Sequence, residues 1–370
     1  MQFSAIPGLE DIKSRLIEAV SHGRIAHAQL FLGAEGSANL AMALAYTQYI
    51  NCEYKGKNDS CGTCKSCQKT QKLVHPDVHF SFPLISDFPL SDEKIELWRK
   101  TFLGNPYLSI YEWMASLGSE NKQGNIAVSE IRNIIKKLSF RNFEAAYKVM
   151  IIWLPEFLKK EGNILLKIIE EPAPNTVILL VAQNQDAILS TIRSRTQLMR
   201  VRSFDDAEIE NYLKHNAFAS HEDAKGIAFM SEGNMNLALT LCKNEDTSFF
   251  QHFRNWLLMC YHTKIAEILK WGEETSRMGR ENIKHLLLYG IKLLRECILF
   301  LSGAEGAMKI TGEELIFVRK FATLLDVQTI EYMVLLLNDC TYHIERNASP
   351  KISLFNLSLH FKNKLANSKR

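Results

Sequence analysis

The sequence has almost no surplus of charge. Lys and Arg total 44 against 41 Asp and Glu, a formal net charge of +3 over 370 residues. A protein whose main task is to coat nucleic acid would carry a far stronger basic balance, although local basic patches are compatible with this one. Long apolar runs free of charge are also missing. The most membrane-like stretch, "HLLLYGIKLLRECILFLSG" from His285, is broken by Lys292, Arg295 and Glu296. Each would cost about 2.5–3.5 kcal/mol near a bilayer centre, so a buried helix is expected there and no membrane partner. The opening "MQFSAIPGLEDIKSR" has no apolar signal core, which leads us to expect a cytoplasmic chain. No internal repeat is present. What remains is an ordinary folded composition, 46% apolar and 23% charged, with room for about two or three domains.

The eight cysteines are unevenly spread. Cys242, Cys260, Cys297 and Cys340 are scattered through apolar helical sequence and read as core residues. Cys52, Cys61, Cys64 and Cys67 instead form C-x8-C-x2-C-x2-C, "CEYKGKNDSCGTCKSC". Tight turns at Gly62–Thr63 and Lys65–Ser66 can present paired thiolates, and four thiolates close a tetrahedral Zn²⁺ shell, which is the signature of a structural site. An iron–sulfur cluster of the bacterial ferredoxin kind would need its next Cys at position 71, followed by Pro, where Gln71 and Lys72 stand. Four reduced surface thiols are the remaining alternative. His75 and His79 in "HPDVH" are spare ligands on spacing, with exposed loop histidines as the expected description.

Leu9, Ile12, Leu16 and Val20 share a helical face, after which "AHAQLFLG" reads as a buried strand. "KVMIIW" (148–153) and "TVILLVA" (176–182) predict further buried strands and "QLMRV" from Gln197 a final strand, with helices at "SANLAMALAYTQYI", "NILLKIIEE" and "AILSTIRSR" and one N-capped by Ser129 with Val128 as a staple. Continuous apolar strands alternating with helices indicate a parallel sheet covered on both faces. Residues 1–203 are therefore expected to be α/β, with an aperiodic insertion at about 80–125. Phe80, Phe82, Trp98, Phe102, Tyr107, Tyr111 and Trp113 are expected to form that insertion's own small core, stacking on nucleobases being the other use for them. Beyond Phe204 only helices are expected, the first capped by Asp205 or Asp206, with a C-cap at Gly233 and a polar tail after Leu365.

"GAEGSANLA" (33–41) joins the first strand to a helix, as a phosphate-binding loop does. Gly33 and Gly36 occupy two glycine positions of that loop, but Ala38, Asn39 and Leu40 stand where Gly, Lys and Ser/Thr would hold phosphate and Mg²⁺. After "KVMIIW" the acid expected of a metal-holding strand end is also absent: Trp153, Leu154 and Pro155 fill the place, and Glu156 falls three residues late. A degenerate nucleotide site explains both defects together. "TIRSR" offers Arg193 and Arg195 at the end of a short helix, where a guanidinium could serve a neighbouring subunit's γ-phosphate or could simply be a surface arginine.

With "AHAQLFLG", the cysteines and "HPDVH", "KVMIIW", "NILLKIIEEPAPNTVILLVA" and "TIRSR" in this order, the first two hundred residues resemble the delta-prime family of bacterial DNA polymerase III clamp-loader subunits, within the AAA+ superfamily. The resemblance implies an AAA+ module with a zinc module at 52–67, a helical lid (204–245) and an all-α collar domain (246–370). It implies an ATPase-inactive subunit in a heteropentamer with ATPase subunits and a delta subunit, acting on the sliding clamp and primer-template DNA. It also implies that Arg195 is an arginine finger in trans, in Ser194-Arg195-Thr196, where Thr196 replaces the family's Cys. The lid's Gly-Ser-x-Arg reads "GNMN", with Asn236 in the arginine's place. An active ATPase with an atypical loop, or a zinc-containing nucleic-acid-binding protein without ATPase partners, are the alternatives.

Overall fold

The computed structural model describes residues 1–119, 124–218, 221–243, 249–310 and 312–367, so 120–123 of the expected insertion and the last residues of the expected polar tail, 368–370, lie outside the described residues. The chain divides into two compact units, Met1–Thr240 and Leu241–Arg370.

The first unit is built on five parallel strands, β1 (Ala28–Leu32), β2 (Val78–Ser81), β3 (Lys148–Trp153), β4 (Thr176–Ala182) and β5 (Gln197–Arg200), in the order β2-β3-β4-β1-β5. β3 and β4 are buried along their whole length, as continuous apolar runs require. Alternation divides their side chains between two cores. Met150, Ile152, Ile178 and Leu180 pack with Ile131, Ile134 and Leu138. On β1, Phe31 meets Tyr46 with ring centroids 6.3 Å apart.

Helices α1 (Glu10–Ser21), α2 (Asn39–Ile50), α3 (Lys65–Gln71), α4 (Ile95–Gly104), α5 (Ile110–Ser116), α6 (Val128–Ser139), α7 (Leu166–Glu170), α8 (Ser190–Arg193), α9 (Asp206–His215), α10 (His221–Ser231) and α11 (Met235–Lys243) follow in chain order. All twelve residues of α2 are buried, so this Ala-rich helix lies inside the unit. In α9, Asp205 and Glu208 form a reciprocal capping box.

Several expectations are corrected. β2 lies in "HPDVHFS", which the sequence pattern assigned to a loop, so Phe80 belongs to the sheet. The stretch expected to be aperiodic holds α4 and α5, the latter with a Ser109/Glu112 capping box. Its aromatics are continuous with the main sheet: Trp98 stacks on Phe82 at 4.4 Å and meets Trp153 of β3 at 5.0 Å. Tyr107 turns to Phe204 and Tyr212 instead. Ser129 is not the N-cap of α6; Ala127 holds that place, and the Ser129 hydroxyl donates to Pro89 O.

The second unit consists, among its described residues, of helices: α12 (Phe249–Tyr261), α13 (Ile265–Ser276), α14 (Arg280–Leu301), α15 (Gly312–Ala322), α16 (Val327–Glu345) and α17 (Pro350–Asn367), with one 3₁₀ turn at Glu305–Ala307. Trp256 stacks on Trp271, packs on Phe361 and donates its indole N–H to Ser358 Oγ at 2.8 Å. Cys260, Cys297 and Cys340 are buried as expected of core residues, while Cys242, at the start of this unit, is half-buried. Among the described residues no single helix is long and apolar enough to cross a membrane; α15 and α16 together meet that test only as a pair bent by 120°.

Candidate functional site

The turn between β1 and α2 lies at the carboxyl end of the sheet, where β1 sits between β4 and β5 and the strand order reverses. Open α/β sheets bind ligands at such a point. Here the turn is filled from within. Asn39 is 5% exposed, and its amide nitrogen donates to Gly33 O at 3.2 Å and to Ala182 O at 3.0 Å, while its oxygen accepts from Leu40 N–H at 2.8 Å. The side chain in the lysine's place is thus spent on tying β1 to the end of β4.

The two glycines are required by close packing. A Cβ on Gly33 would fall 2.3 Å from Ser37 Oγ and 2.7 Å from Val201 O. Gly36 has φ +72°, and a Cβ there would fall 1.8 Å from Asn234 Oδ1. Met235 N–H also donates to Gly36 O at 3.0 Å, and Asn234 Oδ1 accepts from Leu237 N–H at 2.9 Å, capping α11. The start of α11 is therefore seated on the turn. Asn236 is buried at 7% exposure and paired with the Asn105 amide. We expect Asn39→Ala to cost about 1–3 kcal/mol in urea melts, because Gly33 O and Ala182 O lose a buried donor; Asn39→Lys leaves Asn234 over Gly36 and should not create ATP binding, as a fluorescent-nucleotide titration would check.

At the end of β3, Trp153 is 2% exposed in the aromatic core. Leu154 turns the chain with φ 55°, and Glu156 reaches the neighbouring strand end, where Oε1 accepts from Gln183 N–H at 2.6 Å and Asn184 N–H at 2.8 Å. Burial pushes its carboxyl up, against the pull of those donors.

Arg195 follows α8 and is exposed. Its Nε–H is paired with Glu170 of α7, and Nη1 donates to Thr191 O at 3.1 Å and Ser194 Oγ at 3.2 Å. Thr196 turns its hydroxyl back onto Ile192 O and Arg193 O, both at 3.2 Å. Arg193 is engaged locally with Gln185 O and Asp186.

Cys52, Cys61, Cys64 and Cys67 are brought together with all four Sγ atoms within 4.8 Å of one another. Cys52 follows α2, Cys64 caps α3, and Cys67 lies in its first turn. Backbone N–H groups point at the sulfurs: Cys61 to Cys52 at 3.2 Å, Cys64 to Cys61 at 3.3 Å and Cys67 to Cys64 at 3.4 Å. The N–H groups of Cys64 and Thr63 hold the Cys61 thiol down at about 6, whereas burial pushes Cys52 and Cys67 up. A tetrahedral Zn²⁺ with bonds of about 2.3 Å needs sulfurs ~3.8 Å apart; Cys61 and Cys67 are at 3.9 Å. The donor set fits a metal.

Among the described residues no histidine joins this group, and neither histidine of "HPDVH" is an exposed loop residue. His75 is 3% exposed and accepts from Asp77 N–H on Nδ1 at 3.1 Å; His79 is half-buried within β2. Asp77 accepts from the N–H groups of Phe143, Glu144 and Ala145 at 2.6–2.8 Å, fixing the entry to β3. Burial, helped by Lys137 and Lys148, lowers His79 to about 4. The unfolded chain therefore binds a proton that the folded chain refuses between pH 6.5 and 4, so stability falls as pH drops through that window. His79→Gln should flatten this part of a pH series of urea melts.

Spacing found the four thiolates, and the roles of Asn234, Glu170 and Asp77 were missed. The only signals for the first two were the strings "GNMN" and "LLKIIEEP".

The fold and these residues define a parallel α/β module with a four-thiolate cluster, joined in the chain to a unit of helices. The chain belongs to the family described as DNA polymerase III, delta subunit, whose profile matches residues 8–205. It is similar to the DNA polymerase III subunit delta' of Escherichia coli, 22% identical over 65% of this chain and 61% of that protein, and to that of Bacillus subtilis, 24% identical over 62% and 58%. The chain thus spans about three fifths of the length of those relatives. Among solved structures, a gamma subunit-related protein of Thermotoga maritima is 15% identical over 96% of this chain and 100% of that one, with a TM-score of 0.43.

Proposed function

We propose that this chain is a non-hydrolysing subunit of a clamp loader, lending Arg195 to the ATP site of a neighbouring subunit. The observation that carries this reading is Asn39: it stands where a phosphate-binding lysine would, and its amide is consumed by Gly33 O and Ala182 O. With Asn234 packed over Gly36 and no acid at Trp153, the chain has no productive grip on Mg²⁺ or triphosphate. Arg195, by contrast, is exposed and already held by its neighbours.

In this reading residues 1–203 are an AAA+ module, 204–245 its lid and 246–370 a collar that assembles a cytoplasmic heteropentamer with ATPase subunits and a delta subunit. The assembly opens a sliding clamp at primer-template DNA, and this subunit is the fixed part against which the others move. Cys52, Cys61, Cys64 and Cys67 would hold a structural Zn²⁺, whose closed shell supplies crosslinking and no catalysis. They tie the end of α2 to α3. Ser194 and Thr196 shape the turn that presents Arg195. The family membership and the delta' relatives support the partners. ATP turnover by the reconstituted assembly carrying Arg195→Ala tests this reading, and turnover equal to wild type rejects it.

A further inference from the structure

Arginine carries five N–H donors in a planar fork, and the structure accounts for three of those on Arg195. Nε–H goes to the Glu170 carboxylate, and the two hydrogens of Nη1 go to Thr191 O at 3.1 Å and Ser194 Oγ at 3.2 Å. Among the described residues, neither hydrogen of Nη2 has a partner. The guanidinium is therefore pinned along one edge, with one NH₂ group left to point at something else.

The pinning is built locally. Pro172 ends α7, so Glu170 is its last helical residue. The Ser194 hydroxyl donates to Thr191 O at 3.2 Å, which leaves its lone pairs for Nη1, and Thr191 Oγ1 is itself tied to Asn163 Oδ1 at 3.0 Å. Of these contacts only Glu170 brings a charge. Its side chain and that of Arg195 are both part-exposed, at 45% and 38%, so as a surface ion pair it adds little stability. Its geometric effect is larger: without it the guanidinium can rotate about its long stem, and the free NH₂ loses its direction.

We infer that Glu170 is the positioning residue for Arg195, fixing the guanidinium so that Nη2 alone is offered to an incoming phosphate oxygen. This rests on the reading of Arg195 as a group acting in trans. No covalent step belongs to Glu170, and it touches neither nucleotide nor metal. Misplacing a group that must meet a transition state costs up to about 10²-fold in rate. Loss of Glu170 should thus lower the rate constant for hydrolysis at the neighbouring site by roughly 10–100-fold and leave nucleotide affinity unchanged.

The test is single-turnover ATP hydrolysis, with nucleotide Kd measured in parallel, by the reconstituted assembly carrying Arg195→Ala, Glu170→Ala, Glu170→Gln or the double alanine variant. We expect Glu170→Ala to be slow with unaltered Kd, Glu170→Gln, which keeps an acceptor for Nε–H, to recover most of the rate, and the double variant to be no slower than Arg195→Ala. If Arg195→Ala is slow but Glu170→Ala is as fast as or faster than wild type, the inference fails and the role of Arg195 stands. The inference also fails if the Glu170 loss multiplies that of Arg195→Ala, because Glu170 would then act by another route. If Arg195→Ala itself is as fast as wild type, the reading beneath it fails. Melting curves of the free variants, expected to overlay that of wild type, separate positioning from misfolding.

Discussion

Arg195→Ala should leave the chain folded and slow ATP hydrolysis at the one site it faces by about 10³-fold or more, the lower end of what such guanidinium groups contribute. Its ion pair with Glu170 lies at the surface, so the stability change should stay within about 1 kcal/mol. Arg195→Lys sharpens the test. An ammonium keeps the charge but has three donors on one nitrogen and no planar fork, so holding Glu170, Thr191 O and Ser194 Oγ as Arg195 does leaves it none to offer. We expect it to recover only a small part of the lost rate. Full recovery by Lys would mean that charge alone acts there.

The second large effect concerns the thiolates. Purified chain should carry one zinc per molecule, and chelation or Cys67→Ala should release it at a cost of several kcal/mol. Cys67 is fully buried and Cys52 nearly so, so loss of the metal leaves thiols whose packing against each other has no other purpose. The loss should be local. Asp59 accepts from Phe3 and Ser4 N–H at 3.1 and 2.9 Å and Gln48 donates to Ser60 Oγ at 2.9 Å, so amides of 52–71 and of the opening residues should exchange faster, while β3 and β4, buried throughout, keep their protection. Equal metal content and equal exchange in wild type and Cys67→Ala would rule the site out.

Sequence alone carried the central strands because each is a continuous apolar run between turn signals, and a strand buried on both faces can be little else. β2 was not legible. It is a four-residue edge strand carrying His79 and Ser81, and its identity comes from pairing with β3. α4 and α5 were hidden for a related reason: they are short helices on either side of Pro106, and their buried aromatics answer to tertiary partners, Trp98 to Trp153 and Trp113 to Phe82 and Trp98.

The same division holds in the site. Cysteine spacing is local information and was readable, as was the missing lysine at Asn39. What Asn39 does instead depends on Ala182, 143 residues away, and the fit of Gly36 under Asn234 is likewise a tertiary fact. A local string can show that a group is absent; only the folded chain shows what has filled the space.

Absence of productive ATP cleavage by this chain on its own is what the filled turn at Asn39 requires. It is tested most directly by phosphate release from Mg²⁺–ATP by the purified chain with primed DNA present. The trace should be indistinguishable from protein-free buffer; sustained turnover by the chain alone would mean that the turn at Asn39 does grip triphosphate.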